Sequence, residues 1–433
     1  MQSVEFIMDI FRRLEEQKIR YGILRKSEEI ERGKAHDLDV VVDFHYKNHV
    51  LNILNWVAEE KGWNKILNVD KDCGNLKSVH YSYLDKGYPQ IVHFDLFNNF
   101  SWNGLTIIGN QELLDGVYKK GNLFCVSRAN EVTIKLMSRL IYHGYVKDEY
   151  KNDICEYAKS NTEELTTQLK TFLGEALANR IVSNCKNENW NLIAECTSEI
   201  RQMCMKNCES VAKLKKLRFK FQRFFSPQGM MIVFLGTDGS GKSTIIEGLP
   251  NCIGDTFDKT QIEYYHWRPG FLKSPKGEKS GSKENSNEPH KKRPYNIPIS
   301  LIKFFYYNLD YILGYFFCIK PALAKNKLVI FDRYYYDYML DKYRYRFDIP
   351  DLLIRTMMCI IPKPHITFLF IGDPVVLYER KHELSVEEIA EQTKRLMLIK
   401  DIVPNKKVIN VNKSIDDVIG NVSCEILMYM SRR

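Results

Sequence analysis

The segment that most constrains this chain is Gly236-Thr237-Asp238-Gly239-Ser240-Gly241-Lys242-Ser243, followed by Thr244. It fits the pattern G-x-x-x-x-G-K-[ST] (Walker A) in full. An apolar run, Met231–Leu235, precedes it and a helix is expected from Thr244 onward, the strand–loop–helix setting that the pattern requires. Glycines allow successive backbone N–H groups to turn inward around an anion, and the helix N-terminus adds partial positive charge. Lys242 is spaced to reach the β- and γ-phosphates, and the Ser243 hydroxyl to take a place on Mg²⁺. Mg²⁺ and ATP are therefore the expected cofactors, cradled by Gly236, Asp238, Gly239, Ser240, Gly241, Lys242, Ser243 and Thr244. The runs MIVFLG, KLVIFD and HITFLFI are continuously apolar, which a parallel sheet covered on both faces needs. An α/β fold is expected from Met230 onward.

An acid, Asp332, ends the strand expected over Leu328–Phe331. At the carboxyl end of a buried strand it lies beside the phosphate loop, where it can hold a metal or its waters. Three stretches together resemble thymidylate kinases, over roughly residues 230–425. They are the loop F-L-G-T-D-G-S-G-K-S-T with its internal Asp238, the set Phe331-Asp332-Arg333-Tyr334, and Tyr378-Glu379-Arg380-Lys381-His382-Glu383 in the position of a lid. The resemblance implies a kinase, a transferase moving the γ-phosphoryl of Mg-ATP to a nucleoside monophosphate such as dTMP. It also implies that Asp238 faces the acceptor's sugar, that Asp332 serves Mg²⁺, and that Arg333 lies near the acceptor. Ser240 stands where one subtype of that family has arginine. Neutralising charge on the transferred group is then expected of the lid, Arg380 first, Lys381 second, Arg395 as a weaker candidate.

The departures concern the acceptor. His266-Trp267-Arg268-Pro269-Gly270 keeps only part of the family's Arg-Glu-Pro-Gly-Gly stretch. The residues after Arg333 are rich in tyrosine, with Arg344 and Arg346 among them. Aromatics beside arginines suit a clamp on a base or sugar, and they suit a helix core equally. The tyrosine-rich variant resembles thymidylate-kinase-like proteins found with bacterial surface-polysaccharide genes, which implies a sugar or sugar phosphate as the alternative acceptor.

In the amino-terminal part, His36-Asp37-Leu38-Asp39-Val40-Val41-Val42 places two acids on one face of a strand, because side chains alternate. Asp95 sits in a second strand expected over Ile91–Phe97. Three carboxylates on neighbouring strands suit one or two Mg²⁺ ions. The constellation resembles the nucleotidyltransferase fold of polymerase-beta type, over about residues 18–110. That family's Gly-Ser pair is replaced here by Tyr21-Gly22-Ile23-Leu24-Arg25-Lys26, so that Arg25 or Lys26 would take over phosphate contact. A nucleotidyltransferase using its P-loop half to sense NTP is a further alternative.

Texture divides the chain into an α+β nucleotidyltransferase-like domain at 1–110, a helical segment and linker at 111–229, where strand character is lost, and a P-loop domain at 230–433. Ser274–Arg293, almost without apolar residues, reads as a mobile surface insert. The net charge of +9 suits small anionic acceptors and is also compatible with nucleic-acid or acidic-membrane contact. A dedicated nucleic-acid partner is disfavoured because the one densely basic run, Lys213–Arg223, lies in the helical linker. Ser300–Ala324 is interrupted by Lys303, Asp310 and Lys320, so no transmembrane segment is expected. No signal peptide is evident, and eleven scattered cysteines without a metal or disulfide pattern suit a reduced, cytoplasmic protein. A homodimer is compatible with this reading.

Overall fold

The computed structural model describes residues 2–34, 36–85, 88–206, 210–254, 256–257, 261–273, 295–341, 344–382 and 384–433. The 274–293 insert, Cys208, Tyr343 and Glu383 lie outside the described residues. The chain divides into two compact units, Met1–Tyr83 with Gln90–Phe219, and Lys220–Arg432 with Leu84–Pro89.

The first unit is built on strands β1 (Tyr21–Ile23), β2 (Asp37–Val42), β3 (Asn64–Lys71), β4 (Leu76–Asp85), β5 (Tyr88–Phe97), β6 (Phe100–Trp102), β7 (Leu105–Ile108), β8 (Tyr118–Lys120) and β9 (Leu123–Cys125). Seven form one sheet in the order β3-β4-β5-β2-β1-β9-β8, while β6 and β7 pair separately. One sheet face is covered by the helices Gln2–Glu16 and Lys47–Glu60. Phe6, Ile10, Phe11, Val50, Leu54 and Val57 recur at three- and four-residue spacing and share a core with Val40, Val42, Tyr81 and Phe94. Val41, pointing the opposite way, belongs to a second core with Leu113, Val132, Leu136, Ile154, Leu169 and Ile181. The helical segment thus packs on the other face of this sheet, from Arg128–His143 through Thr197–Lys206. Strand character is not lost throughout 111–225, as periodicity suggested: β9 joins β1 in parallel and β8 pairs with β9. Three-residue strands are too short to display a period of two.

The second unit carries strands β10 (Met230–Gly236), β11 (Ile262–His266), β12 (Leu328–Asp332), β13 (Ile366–Ile371) and β14 (Lys406–Asn410). Their order is β11-β12-β10-β13-β14 and every pairing is parallel. After β10 the chain builds β11 and β12 on one side, then crosses to build β13 and β14 on the other. The crevice for a ligand therefore opens at the carboxyl end of β10, where the phosphate loop begins. Helices Lys242–Ile253 and Ile415–Ser431 pack together. The opposite sheet face meets Phe304, Tyr307 and Tyr311 of helix Ile297–Gly314 and Leu396 of helix Val386–Ile399. Among the described helices, none is long and apolar enough to cross a membrane.

Candidate active site

The loop after β10 has the conformation its glycines predict. Gly239 and Gly241 take φ of +82° and +78°, the left-handed region that costs other residues energy. A Cβ on Gly239 would also lie 2.6 Å from the Leu377 carbonyl oxygen. Gly241 is the N-cap of helix Lys242–Ile253, so the first N–H groups of that helix have no intrahelical acceptor and point toward the loop. Lys242 is buried, and its Nζ donates to the carbonyls of Gly236 and Thr237, each at 2.8 Å, and to Ser240 Oγ at 3.3 Å. Burial and the neighbouring Arg333 guanidinium lower its pKa, partly offset by Asp332 and Asp238. Ser243 and Thr244 are exposed at the mouth of the loop.

Asp332 ends β12 opposite Phe234 of β10 and His266 of β11. Its Oδ2 accepts from Tyr264 at 3.1 Å and lies 3.6 Å from His266 Nδ1. Its Oδ1 is buried with no hydrogen-bond partner. Burial disfavours its charge, but His266, Lys242 and Arg333 outweigh this and hold the carboxyl below its ordinary range. An orphaned anionic oxygen within electrostatic reach of Lys242 in the loop fits a divalent cation, and Asp332, with Ser243 next to Lys242 in the chain, would hold Mg²⁺.

Arg333 follows with φ of +70°, a conformation rare for a side-chain-bearing residue and concentrated at functional sites. It turns the guanidinium back onto Asp238 at 2.8 Å. Arg344 reaches the other oxygen of the same carboxylate, also at 2.8 Å. Asp238 is thus held below the ordinary carboxylate range despite burial, by Arg333, Lys242 and Lys381. A narrow cleft extends from this pair, lined by Gly236, Thr237, Asp337, Asp341, Leu340 and Gln392. Asp337 is buried, accepts from the Tyr345 hydroxyl at 2.5 Å and lies 3.7 Å from Arg333. Asp337, Asp341 and Gln392 are not among the site residues expected from sequence, whereas Arg344 belongs to the tyrosine and arginine run that suits a clamp. The signal for the two acids is charge within that run, and Gln392, an uncharged residue of helix Val386–Ile399, carries none.

Arg380 donates to the Val411 carbonyl at 2.8 Å. Lys381, the residue that caps helix Pro374–Arg380, has its Cβ 3.6 Å from the position of a Cβ on Gly239 in the loop. Arg395 donates to the Leu340 carbonyl and to Glu391. The tyrosines after Arg333 are core: Tyr334, Tyr335, Tyr336, Tyr338 and Tyr345 are buried. Hydroxyls of Tyr334 and Tyr335 donate to the carbonyls of Pro362 and Ile354. Arg268 is also internal, paired with buried Asp310 at 2.8 Å.

In the first unit, β2 and β5 run parallel with Asp39 opposite Asp95 and Asp37 opposite His93. Carboxylate oxygens of Asp37, Asp39 and Asp95 lie within 4.8 Å of one another. Removal from water and the charges of Asp39 and Asp95 push Asp37 up to about 7. Arg25 bonds Asp39, Lys71 lies 3.8 Å from Asp95, and Ser78 donates to Asp95 at 2.5 Å. Such crowded carboxylates, only partly neutralised by these neighbours, fit a divalent cation.

No protein-family model matches this chain, and neither does any curated protein. Among solved structures it is similar to thymidylate kinase from Ehrlichia chaffeensis. The identity is 23% over 45% of this chain and 97% of that chain, with a TM-score of 0.31.

Proposed function

We propose that the second unit is an ATP-dependent phosphotransferase. The observation that carries this reading is the phosphate loop itself, with Lys242 inside it and the unpartnered Asp332 oxygen beside it. Backbone N–H groups of Gly239 to Thr244 and Lys242 would hold the β- and γ-phosphates, Lys242 giving up its loop carbonyls to do so. Bound Mg²⁺, held by Ser243 and Asp332, would neutralise charge across those phosphates. An acceptor oxygen seated beside Arg333 and Arg344 attacks the γ-phosphorus, the bond to the β,γ-bridging oxygen breaks, and ADP leaves. Lys381, beside Gly239 of the loop, or Arg380, the first choice from the resemblance, would neutralise developing charge.

A nucleoside monophosphate such as dTMP is the acceptor implied by the resemblance, and a sugar or sugar phosphate is the alternative. The cytoplasm is the compartment where either would meet ATP. A second reading draws on the Asp37–Asp39–Asp95 cluster, which would hold Mg²⁺ for nucleotidyl transfer in the first unit, with the P-loop unit as an NTP sensor. The test is an acceptor screen with radiolabelled ATP and Mg²⁺, run beside Lys242→Ala. Label should appear on one acceptor class and vanish in the variant. ATP binding without label on any acceptor would refute the transferase reading and favour the sensor.

A further inference from the structure

Outside the phosphate-loop cleft, the second unit leaves a band of large apolar side chains in solvent. Helix Ile297–Gly314 exposes Ile302, Phe305 and Leu309, three and four residues apart and therefore on one face. The next turn, Tyr315–Ile319, is π-helical. This widened turn leaves both Phe316 and Phe317 exposed, at 49% and 63%. Gly314 allows Pro269 to lie against it: a Cβ there would meet that of Pro269 at 2.4 Å. Phe271, just beyond, stacks on Phe317 with ring centroids 5.1 Å apart. The end of helix Ser210–Phe225 adds Phe221 and Phe225, with ring centroids 4.6 Å apart and both largely exposed. The Lys320 amine joins the two elements, 4.6 Å from Phe224, 5.5 Å from Phe225 and 5.7 Å from Phe316.

Exposed aromatic patches of this size mark interaction sites, and the surrounding charge selects the occupant. Within the second unit, Lys220 to Phe225 has two basic residues and no acid, and Tyr311 to Phe331 has three lysines and no acid, of which Lys327 pairs with Glu263 at 2.7 Å. A second copy docking by two-fold symmetry would bring this basic face against itself. A surface of anionic headgroups complements it, with phenylalanines entering the headgroup boundary and lysines meeting phosphates.

We propose that this face, centred on Phe316, Phe317, Phe225 and Lys320, docks the protein peripherally on an anionic lipid bilayer. The inference is independent of which acceptor the phosphotransferase uses.

The experiment is co-sedimentation of the full chain with vesicles of phosphatidylcholine alone, or of phosphatidylcholine mixed with phosphatidylglycerol. The protein should partition onto the mixed vesicles only and be released as salt is raised toward about 1 M. Phe316→Ser with Phe317→Ser should abolish partition. Lys320→Glu should weaken it by on the order of fivefold or more, the effect of one basic charge at such a surface. ATP binding by each variant verifies that the fold is kept. No partition onto anionic vesicles at low salt, or partition unchanged in both variants, overturns the proposal. So does a dimer detected by light scattering that the phenylalanine variant dissolves, because the face then belongs to a second copy.

Discussion

Arg344 and Asp238, paired in the cleft beside the phosphate loop, offer a test that does not require knowing the acceptor. Their side chains are 21% and 17% exposed, and the contact is 2.8 Å. With charge centres about 4 Å apart and an effective dielectric of about 20, attraction is about 4 kcal/mol. Desolvation and residual solvent screening reduce this to a net coupling of about 1–2 kcal/mol. A double-mutant cycle of Asp238→Asn, Arg344→Ala and the double variant isolates that coupling. Arg344→Ala alone, at about 1.5 kcal/mol, should lower the midpoint of this unit's thermal transition by roughly 3–6 °C. The sign of the pH effect follows from the lowered carboxyl of Asp238. Its contribution is complete above the unfolded carboxylate value, about 3.9, and is lost as pH falls through the still lower folded value. ATP affinity of Arg344→Ala should hardly move, because Lys242, Asp238 and the loop N–H groups are untouched in that variant. A coupling within about 0.3 kcal/mol of zero at pH 7, or an equal loss of ATP affinity, would refute the reasoning.

Asp332→Asn should leave metal-free nucleotide binding nearly intact while reducing Mg²⁺-dependent turnover on the order of 100-fold or more, measured by ADP release. Gly239→Ala meets both a left-handed backbone and the Leu377 carbonyl at 2.6 Å. It should cost about 1–2 kcal/mol from the backbone alone and weaken ATP binding, read by calorimetry. Arg268→Met strands buried Asp310, the partner of Arg268 and of the Gly270 and Leu272 N–H groups. It should destabilise the second unit by about 3–5 kcal/mol in denaturant titration. In the first unit, Mn²⁺ titrated as a spectroscopic probe should bind the wild type, and Asp95→Asn should lose that binding while keeping its circular dichroism.

Local rules made the phosphate loop legible. A fixed spacing of glycine, lysine and serine between an apolar run and a helix permits few conformations, and Gly239 and Gly241 adopt the expected one. The carboxylate cluster was legible for a similar reason: alternation puts Asp37 and Asp39 on one face, and the parallel register then sets Asp95 opposite Asp39. The β3–β4 hairpin and the β8–β9 pair were not legible. Their strands either mix polar residues on both faces, as in Asn64–Lys71, or are too short to show a period. Lys381 and Arg380 are adjacent in sequence. Which one lies against the loop depends on where helix Pro374–Arg380 ends: Lys381 leaves it in extended backbone, with φ of −156°, so the helical period does not give its direction.

The tyrosines after Arg333 show how composition alone divides evenly between site and core. Tyr334, Tyr335, Tyr338 and Tyr345 bury their rings against one another and against Phe304, Tyr311 and Phe347. Tyr345 gives its hydroxyl to Asp337, so one end of this aromatic block is fixed to the wall of the cleft. That connection assigns the block a role that periodicity could not show. It holds Asp337 against Arg333, which in turn holds Asp238 in the loop. Replacing Tyr345 with Phe keeps the packing and removes only the hydrogen bond, so the stability change should stay near 1 kcal/mol. If the block positions the acceptor pocket, Tyr345→Phe should raise the apparent KM for the acceptor while leaving ATP binding unchanged. An unchanged KM would reduce these tyrosines to core packing alone.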